Sequence, residues 1–255
     1  MCGRFSITAT AEDVEELFGI DDVEVFPPRY NIAPTQPILM VRQVSRGGDG
    51  ANRPNREALL VRWGLIPSWV KDVKAFPLLI NARSETVIEK NSFRAAIRHR
   101  RTLIPASGFY EWKRSGEKKS QAYWVKPRHG GLVAFAGLME TYLAPDGSEI
   151  DTGAILTTES NREFMPIHGR MPVVIQPEHF DRWLNVNDHE PRQVADLFAA
   201  PEPGFFDAIP VSDKVNKVAN SGPEVQDRIN LNEPVGKAET KPDKTPDSKD
   251  QMKLF

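Results

Sequence analysis

Short apolar runs rich in β-branched and aromatic residues, each closed by Gly, Pro, Asn or Asp, recur along most of this chain. They fall at 38–44, 58–63, 102–111, 122–125, 132–138, 153–158 and 173–175. Such runs suit a pleated, half-buried surface and predict strands. Helical signals are brief. Thr10 and Asp13 form a capping-box pattern, and Gly19 stops the helix that they open. Residues 92–100 and 190–199 are further helix candidates, and 161–165 predicts a single turn. The segment GEKKSQ (116–121) reads as a hairpin loop. Two stretches, 27–37 around RYNIA and 67–77 around WGLIPSW, read as loops from their prolines. Many strands with scattered short helices point to an α+β fold, not to a wound parallel sheet.

The 255 residues, 40% of them hydrophobic, are enough for one sizeable core. The expected body is 1–222. From Pro223 on, aromatics give way to Pro, Lys, Asp and Glu, so 223–255 is expected to be a flexible tail. That tail holds six basic and seven acidic residues, which leaves the body near neutral. A net charge of −2 excludes a generally basic nucleic-acid coat, so any DNA contact has to be a local patch. A single cysteine permits no internal disulfide and suits a reducing compartment. No apolar run has the length of a secretory signal core or a membrane span, and a cytoplasmic location is expected.

Chemistry concentrates first at Cys2. Methionine aminopeptidases remove an initiator Met before a small side chain, which would leave a cysteine bearing both a thiol and a free α-amine. An α-amine has a pKa near 8, about two units below lysine, so part of it is an unprotonated nucleophile at neutral pH. An aldehyde would give a Schiff base with the amine, and the thiol would then close a thiazolidine ring. The bland alternative is a small buried hydrophobe, the common fate of a lone cysteine. Glu111 alternates with Tyr110 and Trp112, a setting for a raised pKa and proton donation, though a strand glutamate paired with Lys113 is the more frequent arrangement. His168 sits in a tight loop between apolar segments, unlike the other four histidines. Asn81 ends an apolar, strand-like run. Arg4, Arg83 and Arg170 each lie within two residues of Cys2, Asn81 or His168, as a phosphate clamp around a reacting centre requires. Metal-ligand spacing is absent: there is no CxxC and no HExxH, and no cofactor is expected.

MCGRF at the start, RYNIAP at 29–34, INARSET at 80–86, PASGFYEWK at 105–113 and IHGRMPV at 167–173 together resemble the SOS-response-associated peptidase family, sensors of abasic sites in single-stranded DNA. VANSGPE matches the family's closing pattern. The resemblance implies a compact domain with a β-rich, barrel-like centre of mostly antiparallel strands. It implies that Cys2 crosslinks to the abasic sugar. Asn81 would bind the N-terminal residue and the opened sugar, and Glu111 would be general acid/base in ring opening and in Met1 removal. His168 would stabilise or protonate intermediates and assist reversal. It further implies phosphate contacts at Arg4 and Arg83, Asn31 and Thr157 beside the site, Pro34 wedging bases apart, and Trp69 stacking on a base. The family has a second aromatic after the Trp69 position, where this chain has Val70.

Two rival functions are a thiol peptidase with Cys2 and His168 as nucleophile and base, and a non-covalent single-strand binding module. Near-neutral charge argues against the second, because tight unspecific binding needs many phosphate contacts. The expected partner is single-stranded DNA holding an abasic site, and a monomer is expected. The chain ends QMKLF, and Gln251, Leu254 and Phe255 resemble the QxxLF-type peptide that docks on bacterial sliding clamps.

Overall fold

The computed structural model describes residues 2–44, 56–116 and 119–231. The chain runs through β1 (Arg4–Ile7), α1 (Ala11–Phe18), β2 (Arg29–Ile32), β3 (Pro37–Gln43), β4 (Arg56–Trp63), β5 (Asn81–Arg83) and α2 (Arg94–His99). There follow β6 (Arg101–Ala106), β7 (Gly108–Ser115), β8 (Lys119–Pro127), β9 (Val133–Leu143), β10 (Glu149–Glu159), β11 (Arg170–Pro172), β12 (Val174–Ile175), α3 (Phe180–Leu184) and β13 (Phe206–Pro210).

The strands form two sheets. One runs β13-β8-β7-β1-β2, and all its pairings are antiparallel. In the other, β10, β4, β3, β6 and β9 pair in that order, and β9 pairs back to β10, closing a five-stranded barrel. β11 and β5 also pair with β10, and β12 with β9. β10 runs parallel to β4 and β5 while the other pairings of this sheet are antiparallel, so the expected barrel-like, mostly antiparallel α+β fold is the one observed. Closure demands close approach at Gly153 of β10, where a Cβ would lie 2.3 Å from Met40 Cε and 3.2 Å from Leu138 O.

Phe5 of β1 ties the sheets together. Its ring meets Trp63 of β4 edge-on at 5.2 Å and Phe135 of β9 at 6.4 Å, and Phe109 of β7 meets Phe135 at 6.0 Å. The first two contacts fix β1, and hence the chain start, against the barrel wall, and the third fixes β7 beside it.

α1 forms as expected, with the Thr10–Asp13 capping box and Gly19 in the left-handed conformation at φ 60°. The 161–165 turn closes through Met165 N–H donating to Asn161 O at 3.0 Å. Four expectations need correction. The hairpin loop expected at 116–121 gives way to β8 from Lys119 on. The single strand expected at 102–111 is two strands in different sheets, split at Ser107, whose N–H donates to Ser6 O while its hydroxyl accepts from Thr8. The 27–37 loop contains β2, because its prolines flank RYNI without entering it. The helix expected at 190–199 is a 3-10 helix over Pro191–Phe198.

Packing continues beyond the expected start of the tail. Pro223–Gln226 forms a 3-10 turn, Val225 is fully buried, and Val211 bridges to Arg228. From residue 232 on, the expected tail, including Gln251, Leu254 and Phe255, lies outside the described residues. Among the described residues no helix is long and apolar enough to cross a membrane.

Candidate active site

Antiparallel pairing of β1 with β7 sets Arg4 opposite Tyr110, and this register brings the residues before Arg4 alongside Glu111. Cys2 is fully buried, and its thiol donates to Arg4 O at 3.6 Å. Its carbonyl accepts from Asn81 Nδ2 at 2.8 Å. Asn81 can reach because β5 lies against β10, with Asn81 opposite Ile155. The Asn81 Oδ1 atom is buried and accepts no hydrogen bond among the described residues. Burial, and then the neighbouring Glu111 carboxylate, push the Cys2 thiol well above the ordinary thiol range.

Glu111, only 3% exposed, lies 3.7 Å from His168 through Oε1 and the ring Nε2. Burial pushes its carboxyl above the ordinary range, while the His168 imidazole pulls the other way. The loop between β10 and β11 holds His168: its N–H donates to Phe164 O, and Ser160 Oγ donates to its carbonyl at 2.8 Å. The Arg170 N–H donates to His168 Nδ1 at 3.0 Å. The same Nδ1 lies 3.2 Å from Arg170 O, so the backbone of Arg170 fixes the ring through Nδ1 while Nε2 faces Glu111. Cys2, Asn81, Glu111 and His168, picked from four distant stretches of sequence, therefore meet in one place.

The candidate DNA contacts are placed more diversely. Arg83 is exposed, and its guanidinium has no polar partner among the described residues. Trp69 is 56% exposed and meets Phe76 edge-on at 5.5 Å. Pro34 is partly exposed in the turn after β2, followed by Thr35 at φ 72°. Arg4 is engaged: Nη1 donates to Asn31 Oδ1 at 2.8 Å and to Val215 O at 2.7 Å, and Nη2 donates to Asn216 O at 3.2 Å. Asn31 is buried and its Nδ2 donates to the carbonyls of Val215, Lys217 and Asn220. Together they clip the 213–220 segment onto β1 and β2. Thr157 is fully buried; its hydroxyl donates to Ala82 O and accepts from Arg170. Arg170 is held by both oxygens of Glu85.

Sequence reasoning missed Glu85, Ser160 and a cavity of about 660 Å³ beside Asn81, lined by Leu78, Ile80, Arg83, Lys90 and Phe93 among others. A solvated glutamate and scattered apolar residues carry no local signal, although INARSET already pointed at this segment.

The family model for SOS response associated peptidase (SRAP) matches residues 1–218. The abasic site processing protein YoqW of Bacillus subtilis (strain 168) is 40% identical over 228 residues, covering 88% of this chain and 98% of that protein. The abasic site processing protein YedK of Escherichia coli (strain K12) is 30% identical over 237 residues, covering 88% and 98%. A crystal structure of a protein from Bacteroides thetaiotaomicron superposes with a TM-score of 0.76 at 26% identity, covering 89% of this chain and all of that one. The chain belongs to the SOS response associated peptidase family.

Proposed function

We propose that this protein processes abasic sites in single-stranded DNA by trapping them covalently on Cys2. The observation that carries the reading is the placement of Cys2, its carbonyl fastened by Asn81 at 2.8 Å, beside the Glu111–His168 pair. The names of the abasic site processing relatives point the same way.

Removal of Met1 frees the α-amine of Cys2. The amine adds to the aldehyde of the ring-opened sugar, and the carbinolamine loses water to give a Schiff base. The thiol then adds across the C=N bond: sulfur takes the carbon, its proton passes to nitrogen, and the ring closes with net loss of one water. Glu111 in its protonated form donates a proton to the sugar ring oxygen and then to the departing hydroxyl; a carboxyl raised by burial suits that task. His168 Nε2 is the second proton-transfer group. The Asn81 Oδ1 atom is an acceptor for an opened-sugar hydroxyl. Holding amine, thiol and aldehyde together supplies proximity that free cysteine lacks. Arg83 binds backbone phosphate, and Trp69 offers a stacking face, a sequence-tolerant contact worth roughly 1–3 kcal/mol per base. Residues 251–255 dock on a sliding clamp and so raise the local concentration of the domain where single strands are exposed.

Intact-mass measurement after incubation with an abasic single-stranded oligonucleotide tests this. The mature protein should lack Met1 and gain the oligonucleotide mass less one water. Cys2→Ala should form no stable adduct, whereas Cys2→Ser should give only a borohydride-trapped Schiff base. Crosslinking by Cys2→Ala at the wild-type level would remove the proposal.

A further inference from the structure

Two guanidiniums flank the outer end of β10, one open and one capped. Arg83, opposite Thr157 in the β5–β10 register, is exposed, and its guanidinium has no polar partner among the described residues. On the other side of β10, Arg170 lies opposite Glu159. Its Nη1 and Nη2 donate to the two oxygens of Glu85 at 3.0 Å each. Nη2 also donates to Thr157 O at 2.6 Å and to Thr157 Oγ1 at 3.3 Å.

This two-point fork of arginine on a carboxylate has the geometry of arginine on phosphate. The two halves of the pair differ in exposure: the Arg170 side chain is 15% exposed and that of Glu85 is 41%. Thr157 anchors the guanidinium from the protein side, so the carboxylate is the half facing solvent and the half free to leave. Water can take over the solvation of the 41% exposed carboxylate as it leaves, so the exchange needs no rearrangement on the protein side.

We propose that Glu85 occupies, in the free protein, the place of a backbone phosphate of single-stranded DNA, and that Arg170 binds a phosphodiester only by exchanging it for Glu85. The inference rests on reading this site as a single-strand DNA site. Like replaces like, while the Thr157 bonds persist in both states. Arg170 then adds little net affinity for undamaged strands. Non-covalent binding stays weak, and retention on DNA is left to the bond formed at the lesion.

The test uses the full chain, a fluorescein-labelled single-stranded oligonucleotide without any lesion, and anisotropy titrations across a salt series. Glu85→Gln should bind several-fold tighter than wild type. It should also steepen the dependence of log K on log salt by about 0.7, the increment for one further single-strand phosphate. Loss of a negative charge near DNA raises affinity by itself, so the same change is made in an Arg170→Gln background. There the gain should shrink to the increment that charge alone supplies, and the extra salt slope of about 0.7 should be lost. Arg170→Lys, which keeps the charge but lacks the fork, serves as a second background if Arg170→Gln fails to fold. The proposal is overturned if Glu85→Gln binds no tighter, if it binds more weakly, or if its gain survives undiminished without Arg170. A parallel mass measurement on wild type with abasic oligonucleotide separates the two readings: absence of adduct there counts against crosslinking, while the Glu85 result stands or falls alone.

Discussion

At Glu111 the fold holds a carboxyl 3% exposed beside the imidazole of His168, and burial raises its pKa. The folded protein then grips this proton more tightly than the unfolded chain. The group's contribution to stability is therefore fully present below the ordinary carboxylate range, and it falls as pH climbs through the raised value. Glu111→Gln keeps the shape without the titration. It should be relatively more stable than wild type as pH rises from about 4 to 8, the span between an ordinary carboxylate and neutrality. It should also slow adduct formation by about 10²–10⁴-fold, the usual worth of a general acid/base. Melting temperatures across that span, with adduct rates by mass, check both; normal rates would leave Glu111 a purely structural residue. At this scale the four residues that cluster around Cys2 were legible because each sits in its own motif. The tie between Arg4, Asn31 and the 213–220 segment was not, since its partners are some 200 residues apart in sequence.

Among the elements, the break between β6 and β7 matters most, because it passes the chain from the barrel to the second sheet and aims Glu111 at the site. At Gly108 a Cβ would stand 2.5 Å from Val125 O and 2.9 Å from Trp124 Nε1. The first of these is backbone and has no room to retreat. Gly108→Ala should therefore cost about 1–3 kcal/mol, as overpacking does, seen as a lower denaturant midpoint; an unchanged midpoint would mean that β8 can shift. The turn residues of α1 announced that element correctly, since a capping box and a left-handed glycine act within a few residues. The split of 102–111 had no comparable signal. A continuous run of strand-forming residues records local preference, whereas the change of sheet is imposed by Ser6 and Val125 from other strands.

For the whole molecule, a net charge of −2 means that contact with DNA is confined to a patch, and the structure leaves Arg83 open while engaging Arg4 and Arg170 in protein contacts. Recruitment then falls to another part of the chain, which is the role proposed for the terminal Gln251, Leu254 and Phe255. A peptide of residues 244–255 should bind a bacterial sliding clamp weakly by calorimetry. Leu254→Ala with Phe255→Ala should abolish that binding and leave crosslinking in solution unchanged. No heat at high micromolar clamp would leave residues 251–255 without that role.

Local propensity, turn chemistry and short motifs suffice for the α+β class, the strand-rich body, the first helix with its caps, and for singling out four residues that the fold brings together. Long-range pairing is what closes five strands into a barrel, sets Asn81 on the carbonyl of Cys2, and turns Glu85 rather than solvent toward Arg170. Those features depend on pairing between segments far apart in the chain. The register and burial that create them arise only once the sheets have formed.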